Sequence, residues 1–349
     1  MSELHKFLFD GLPVRGMIVR LTDSWTEILA RRAGNSATGA WPPPVSELLG
    51  EMAAAGALMQ SNIKFNGALV LQIFGDGPVK LAVAEVKSDL SVRATATLTG
   101  DVAPEAALSA LVNVGGGGRC AITLDPKDRH PGQQPYQGVV PLFDDQRQRI
   151  EKVSEVLEHY MLQSEQLDTR LVLAANDQVA AGLLIQRLPI KGEANLQGGS
   201  SAAQANEDEI GRNEDYNRIS ILAASLKRDE LLTLDADTIL HRLFWEEKLL
   251  RFEPLQGVSG PRFACTCSRE RVAGMLRSLA EMNKPTIARV HGAALGGGMG
   301  LASACDICVA GEGAVFATSE VRFGIIPSAI SPYVIRAIGA RQAGRYFQT

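Results

Sequence analysis

Three features that would place this sequence of 349 residues in a specialised class are scarce or missing. Five cysteines are too few for the disulfide framework of a secreted domain, so close-spaced cysteines here indicate metal or redox chemistry. The formal net charge of -4 lacks the cationic excess of a nucleic-acid binder. No run of about eighteen apolar residues occurs, and no apolar run follows a basic N-terminus. We therefore expect a cytoplasmic protein with no nucleic-acid or membrane partner.

Common catalytic motifs are also missing. The five histidines form no H-E-x-x-H motif and no i, i+4 pair, so each is expected to be structural. Four glycines at 115–118 precede a strand rather than a helix, which argues against a phosphate cradle. No nucleophile elbow occurs, and Cys120, within GRCAITL, is expected to be a buried thiol. These observations give no support to hydrolase or nucleotide-binding chemistry.

The spacing of apolar residues predicts an α+β fold for the first half of the chain. SELLGEMAAAGALMQSNI is expected to form a helix capped by Ser46, and residues 146–166 a second helix. GALVLQIFGDG, VKLAVAEV and SVRATATL predict an antiparallel meander, and further strands are expected at RCAITLDP, QGVVPL, TRLVLAAN and AAGLLIQRLP. The prediction is a mainly antiparallel sheet with helices packed on one face.

A polar stretch separates this region from a helical segment. Residues 190–212 are poor in apolar residues and rich in Gly, Ser, Gln and Asn, which is typical of a flexible surface connection. EDYNRISILAASL, RDELLTL and DADTILHRLFWEE then predict successive short helices, the last capped by Asp235 or Asp237.

Several long motifs, in order, carry a family resemblance. FLFDGLPVRGMIVRL, GRCAITLDP, PYQGVVPL, LHRLFWEE and FACTCSRERV follow the pattern of the redox-regulated 33-kilodalton heat-shock chaperonin family, and the match covers roughly residues 1–279. The resemblance implies an ATP-independent holdase whose partners are unfolded client proteins. It also implies a reduced, zinc-bound resting form and an oxidised, zinc-free form, and it leaves open a homodimer on oxidation.

Zinc in that family takes four thiolates from C-x-C followed by C-x-x-C. Cys265 and Cys267 match the first pair, as redox residues and as metal ligands. Because a zinc thiolate site contributes folding free energy, oxidation of its ligands removes metal and local stability together. The helix DADTILHRLFWEEKLLRF would respond, and its client-binding candidates are Leu240, Leu243, Phe244 and Trp245. The alternative is that these four are ordinary core positions without a switching role.

The tail departs from the chaperonin pattern. VHGAALGGGMGLASACDICVAGEGAVFATSEVRFGIIP resembles the signature of the crotonase (enoyl-CoA hydratase/isomerase) family. The resemblance implies that the Gly297 amide would polarise a thioester carbonyl and that Glu320 matches the second of two catalytic glutamates. The first glutamate would fall on Gly300, and nothing earlier resembles the half that supplies the second amide and the coenzyme A cleft. We expect a catalytically silent tail without coenzyme A; an acyl-CoA hydratase or isomerase is the alternative function.

Cys305 and Cys308 in the tail have the C-x-x-C spacing that would complete the zinc motif. In the crotonase interpretation, however, ACDIC lies where a helix passes into a strand, and strand side chains alternate faces. The competing outcome is a pair of reduced thiols at Cys265 and Cys267, or a disulfide between them. Zinc is therefore expected at low occupancy, and redox control is expected to be impaired.

The stretch RVAGMLRSL is compatible with the sequence patterns of both families. Our hypothesis is that two coding sequences were joined there, by recombination or by an error in assembling the sequence. The expected segments are a chaperonin-like α+β core domain at 1–189, a flexible connection at 190–212, a helical linker segment at 213–264, a truncated zinc or redox segment at 265–279 and a crotonase-like β-α-β fragment at 280–349.

Overall fold

A computed structural model describes residues 1–34, 39–128, 134–188, 214–265, 269–318 and 327–348. The chain forms two compact units, Met1–Ala264 and Cys265–Thr349. The predicted connection at 190–212 lies outside the described residues. Within the described ranges, no helix has the length and apolar character needed to cross a membrane.

The first unit contains strands and helices in mixed order. Its strands are β1 (Glu3–Phe9), β2 (Val14–Leu21), β3 (Gly67–Phe74), β4 (Val79–Lys87), β5 (Ser91–Leu98), β6 (Arg119–Pro126), β7 (Tyr136–Pro141), β8 (Thr169–Ala175), β9 (Ala180–Arg187), β10 (Leu249–Arg251), β11 (Leu255–Gln256) and β12 (Arg262–Phe263). Its helices are α1 (Asp23–Ala33), α2 (Pro43–Asn62), α3 (Leu108–Val112), α4 (Val153–Glu165), α5 (214–224), α6 (Arg228–Thr233) and α7 (Ala236–Phe244).

These strands form two sheets. The first sheet has the order β10-β1-β2-β9-β8, with β11 also pairing with β1, and the second has the order β12-β5-β4-β3-β6-β7. All pairs are antiparallel except β12 with β5. The predicted meander is confirmed as β3, β4 and β5, and the mainly antiparallel α+β fold is confirmed.

The prediction of helices on one face of a single sheet is wrong in one respect. Helix α2 contacts strands of both sheets and is buried along nearly its whole length, from Pro44 to Gln60. Its central run from Ala53 to Ala57 is fully covered, which is typical of a helix buried between two layers, whereas Glu47 and Glu51 near its start are half-buried. The two sheets, α2 and α4 therefore share one apolar core.

The predicted Ser46 cap is also corrected. Helix α2 begins at Pro43, and the Ser46 hydroxyl donates to the carbonyl oxygens of Pro42 at 3.2 Å and Pro43 at 3.0 Å. Proline has no N–H to satisfy and its φ angle is already helical, so prolines occupy the first turn that the sequence pattern assigned to a loop. The second predicted helix begins later than expected, at Val153.

The outer face of the first sheet is covered by the helical segment. Along β1, Leu4 belongs to the shared core, whereas Phe7 and Phe9 point to the opposite face and join a second apolar cluster. Successive strand side chains alternate faces, so β2, β8 and β9 add side chains to the same cluster, and helices α5, α6 and α7 cover it. Asp235 caps α7 by accepting from the Thr238 amide at 2.9 Å, which agrees with one of the two predicted caps.

The second unit is small. Its elements are α8 (Arg269–Ala280), β13 (Ile287–Val290), β14 (Ala293–Leu295), α9 (Gly297–Ala304), β15 (Ile307–Ala310), β16 (Val315–Ala317), α10 (Ser331–Ile338) and α11 (Ala340–Tyr346). Strand β13 pairs with β15 and β14 with β16, both in parallel, so the predicted β-α-β fragment is confirmed. Parallel sheets are usually buried on both faces, yet Ile307 and Val309 of β15 are 50% and 56% exposed.

The packing of α2 gives a first test. A Cβ atom added at Gly50 would lie 2.4 Å from Ala175 Cβ and 3.2 Å from Ala180 Cβ, both in the first sheet. We expect Gly50→Ala to lower the free energy of unfolding of the first unit by about 1–3 kcal/mol, measured by urea denaturation with circular dichroism. Gly100→Ala, which meets only ordinary contacts, is the control. Equal stability of the two variants would contradict this packing.

Candidate functional site

The first candidate site is the pair Cys265 and Cys267, at the first residues of the second unit. The chain reaches it through Arg262, whose guanidinium donates to the Asp89 carbonyl at 2.8 Å and to the Asp89 carboxylate at 2.6 Å. The amide of Ala264 adds a bond to the β5 backbone at 3.3 Å. Cys265 follows and is exposed, whereas Cys267 lies outside the described residues. The approach to the pair is thus held by an ion pair and backbone bonds.

The second pair, Cys305 and Cys308, spans the junction of α9 with β15. Cys305 follows the last residue of α9 with extended backbone, and Cys308 lies within the strand. Between them, the Asp306 carboxylate accepts from the amide and the hydroxyl of Thr286, each at 2.9 Å. These hydrogen bonds hold the pKa of Asp306 below its usual value. The segment between the two cysteines is therefore fixed as the start of a strand.

This geometry does not fit a zinc knuckle. A knuckle needs a tight turn that brings both thiolates of a C-x-x-C motif to one metal, and the strand entry fixed by Asp306 takes the place of that turn. Among the residues that the structure describes, which exclude Cys267, no group of three or more His, Cys, Asp or Glu side chains could hold a metal ion.

Cys120 differs from the other described cysteines. It lies in β6, is 2% exposed, and its burial raises the pKa of its thiol to about 12. A thiol with this pKa is not ionised at neutral pH, and thiolate is the nucleophilic form. The prediction of a buried core thiol is confirmed.

The glycine turn forms the N-terminus of α9. Gly296 has a φ angle of 50°, in the left-handed region that favours glycine, and its amide donates to the Ala317 carbonyl at 2.9 Å. Gly297 is the first helical residue, so its amide is among those without a partner inside the helix. The position predicted to polarise a thioester carbonyl therefore lies in the first turn of a helix.

The position of the expected first glutamate is closed by packing. A Cβ atom added at Gly300 would lie 2.2 Å from Ile330 Cγ2, so no larger side chain fits without displacing Ile330. Ile330 belongs to the small core of the second unit. Glu320, which matches the second glutamate, lies outside the described residues. A carboxylate at position 300 is thus excluded by the sequence and by the space around it.

The client-binding candidates fall into two groups. The four residues are Leu240, Leu243, Phe244 and Trp245. The first three are buried in the cluster on the outer face of the first sheet, where Phe244, 2% exposed, packs edge-on against Phe9 at 5.1 Å. Trp245, just after α7, is 68% exposed. The first sheet therefore covers three of the four client-binding candidates and leaves Trp245 exposed.

One polar site was missed by the sequence analysis. A cavity of about 330 Å³ at the start of α2 is lined by four glutamates, which are Glu47, Glu51, Glu105 and Glu151. The spacing of Glu47 and Glu51, one helical turn apart, was the available signal, because like charges at i, i+4 destabilise a helix. Only the tertiary structure shows that two further glutamates join them.

Comparison with known proteins places the first unit. The Hsp33 protein family matches residues 2–294, and the 33 kDa chaperonin of Chromobacterium violaceum is 45% identical over 278 residues, covering 80% of this chain and 81% of the relative. The fold and these relatives define the class of the 33 kDa chaperonins. The chain belongs to the Hsp33 protein family.

A solved structure has the same fold. The 33 kDa chaperonin from Thermotoga maritima covers 82% of this chain and 90% of its own, with a TM-score of 0.55 and 19% sequence identity. At this identity the likeness shows the fold alone. It agrees with the family assignment from sequence.

The tail matches a second family. The enoyl-CoA hydratase/isomerase family matches residues 258–349, so the two matches share residues 258–294, which include α8. An enoyl-CoA hydratase from Shewanella pealeana is 48% identical over 23% of this chain and 30% of its own, with a TM-score of 0.22. Both resemblances inferred from the sequence are confirmed, the second as a fragment.

The exposure of the thiols gives a second test. Native protein treated with iodoacetamide at pH 8 should be modified at the exposed Cys265 and Cys308 but not at Cys120, whose thiol is buried and un-ionised. Peptide mass spectrometry measures the labelled fraction at each site, and labelling in guanidinium chloride is the control in which every site reacts. Rapid native labelling of Cys120 would contradict the placement of β6.

Proposed function

We propose that this protein is an ATP-independent holdase that binds unfolding proteins in the cytoplasm and limits their aggregation. Membership of the Hsp33 protein family over residues 2–294 and relatives named 33 kDa chaperonin support a chaperone function. The proposal needs a large apolar surface that can be uncovered without unfolding the whole chain.

The observation that carries the proposal is the apolar cluster between the first sheet and helices α5 to α7. It joins Phe7, Phe9 and Ile18 of the sheet to Leu240 and Phe244 of α7. Each such side chain contributes about 1.5–3 kcal/mol when buried, so the cluster has enough apolar surface to bind unfolded segments once uncovered. The other face of the same sheet belongs to the shared core, so the sheet would persist if the helices moved away.

We further propose that redox control is impaired. Oxidation of a zinc thiolate site destabilises the structure around it only where a complete ligand set exists. Here the second pair of thiols belongs to a different fold: Cys305 lies at the end of helix α9, and Cys308 lies within strand β15. Cys265 and Cys267 would then oxidise without loss of a bound metal. Dimerisation on oxidation stays a prediction.

The crotonase-like tail is proposed to be catalytically silent. Loss of one oxyanion donor typically costs about 2.7–4 kcal/mol of transition-state stabilisation, and the tail also lacks the residue that would act as the first acid or base. The contact of Gly300 with Ile330 supports this, because a carboxylate at that position has no space. Acyl-CoA hydration is the competing function.

A matched pair of substitutions tests the holdase proposal. Phe244→Asp places a charge in the cluster and should free α7 from the sheet at a cost of about 3 kcal/mol or more, which raises suppression of client aggregation without oxidant. His241→Asp places the same charge at an exposed position of α7 outside the cluster and should leave activity near wild type. Light scattering of a chemically unfolded client measures suppression. Equal activity of the two variants, or none in any form, would sink the proposal.

The redox proposal is tested on the wild-type protein. Suppression of aggregation by reduced and by peroxide-treated protein should differ by less than about twofold, and the reduced protein should hold less than one zinc per chain by atomic absorption. Cys305→Ser should leave the zinc content unchanged. One equivalent of zinc that is lost in this variant would overturn the proposal.

The proposed lack of catalytic activity in the tail can be tested directly. Hydration of crotonyl-CoA should not exceed the rate without protein, and Gly300→Glu should lower the stability of the second unit rather than create activity, because of Ile330. The double variant Gly300→Glu with Ile330→Ala relieves the contact and is the control. Turnover by the wild type would revive the competing function.

A further inference from the structure

An acidic cavity lies in the first unit, and its lining includes neither a cysteine nor a residue of α7. Its walls come from the first turns of α2, from the segment 104–111, and from Glu151 and Val153 at the start of α4. The cavity has a volume of about 330 Å³. We refer to it as the acidic cavity, defined by its four glutamates, Glu47, Glu51, Glu105 and Glu151.

Two of these glutamates already have partners. Glu47 pairs with the Arg228 guanidinium at 3.1 Å, and Glu151 accepts from the Ser109 amide at 3.1 Å. Glu105 is exposed at the rim. Glu51 has neither a hydrogen bond nor an ion pair with any described residue, although it lines the cavity from α2. Unlike Glu47 and Glu151, it therefore has no described partner for its carboxylate, and unlike Glu105 it is half-buried.

The charges around Glu51 do not neutralise it. Burial raises the pKa of Glu51 to about 7, Arg228 and Lys152 lower it by attraction, and Glu47 raises it by repulsion. Arg228 is committed to Glu47 and Lys152 to Glu155, at 3.1 and 3.3 Å. Glu51 is half-buried, and even partial removal of an unpartnered carboxylate from water is costly, so a cation that entered the cavity would reduce that cost.

The walls of the cavity select the kind of cation. Leu48, Pro104, Leu111 and Val153 give apolar surface beside the carboxylates. Apolar walls around a charged group suit a methylene chain that ends in a cation, because such a chain buries its stem and pairs its head. A metal ion is a poorer fit, since within the described ranges no three acidic, His or Cys side chains are grouped to hold one.

We propose that the acidic cavity binds an aliphatic cation, a methylene chain ending in an ammonium or guanidinium group, with Glu51 as its principal counter-ion. A free diamine and the basic side chain of another protein share this chemistry. This site is independent of the proposed holdase surface, since none of its lining residues belongs to the α7 cluster.

Calorimetric titration tests the proposal with two probes on the full-length chain, putrescine for a free diamine and Nα-acetyl-lysine methylamide for a side chain. Because a bound cation favours ionised Glu51, affinity should rise about tenfold between pH 6 and pH 8. Binding at pH 6 should release most of a proton, which is measured as a dependence of the heat on the buffer. Binding of either probe with this linkage supports the proposal and identifies the source.

Glu51→Gln is the test variant, and it should weaken binding about tenfold or more and abolish both the pH dependence and the proton release. Glu27→Gln removes the same charge from the exposed face of α1 and is the matched control. Circular dichroism checks the fold of each variant. Carbon NMR of the wild-type glutamate carboxyls gives a second measure, in which saturating probe should lower the titration midpoint near pH 7. No binding of either probe, or equal binding by both variants, would overturn the proposal.

Discussion

The burial of the first sheet on both faces is the constraint on which the first unit depends. Side chains of β1 and β2 alternate between the core around α2 and the cluster beneath α5 to α7. A strand of this kind cannot leave either face open without exposing large apolar groups. The same alternation therefore requires a central helix on one side and a helical cover on the other, and it makes the cover the natural source of a client-binding surface.

The second unit shows what happens when such a constraint is not met. Its two parallel strand pairs resemble part of the crotonase fold, yet strand β15 is exposed along its whole length. A small apolar core around Ile330 and Met299 remains, together with the Asp306 and Thr286 contact that fixes the entry to β15. These contacts order the backbone locally, but position 300, just after the glycine turn, is a glycine and supplies no carboxylate.

Much of the first unit could be predicted from the sequence. The meander, the later strands and the helix over α7 follow from local apolar patterns, because a strand or an amphipathic helix leaves its period in its own residues. The start of α2 could not be predicted correctly, since three prolines indicate a turn as readily as a first helical turn. The division into two sheets was missed because a helix with a long run of alanine and other apolar residues does not reveal how many surfaces cover it.

The candidate sites divide in the same way. The sequence by itself determined the family, the C-x-C pair at Cys265 and Cys267, and the absence of a glutamate at position 300. Only the tertiary structure decided that Gly300 meets Ile330, that the segment at Asp306 is a strand entry, and that Glu51 lines one cavity with three other glutamates. The physical reason is that burial and contact depend on residues far apart in the chain, whereas a motif is complete within its own stretch.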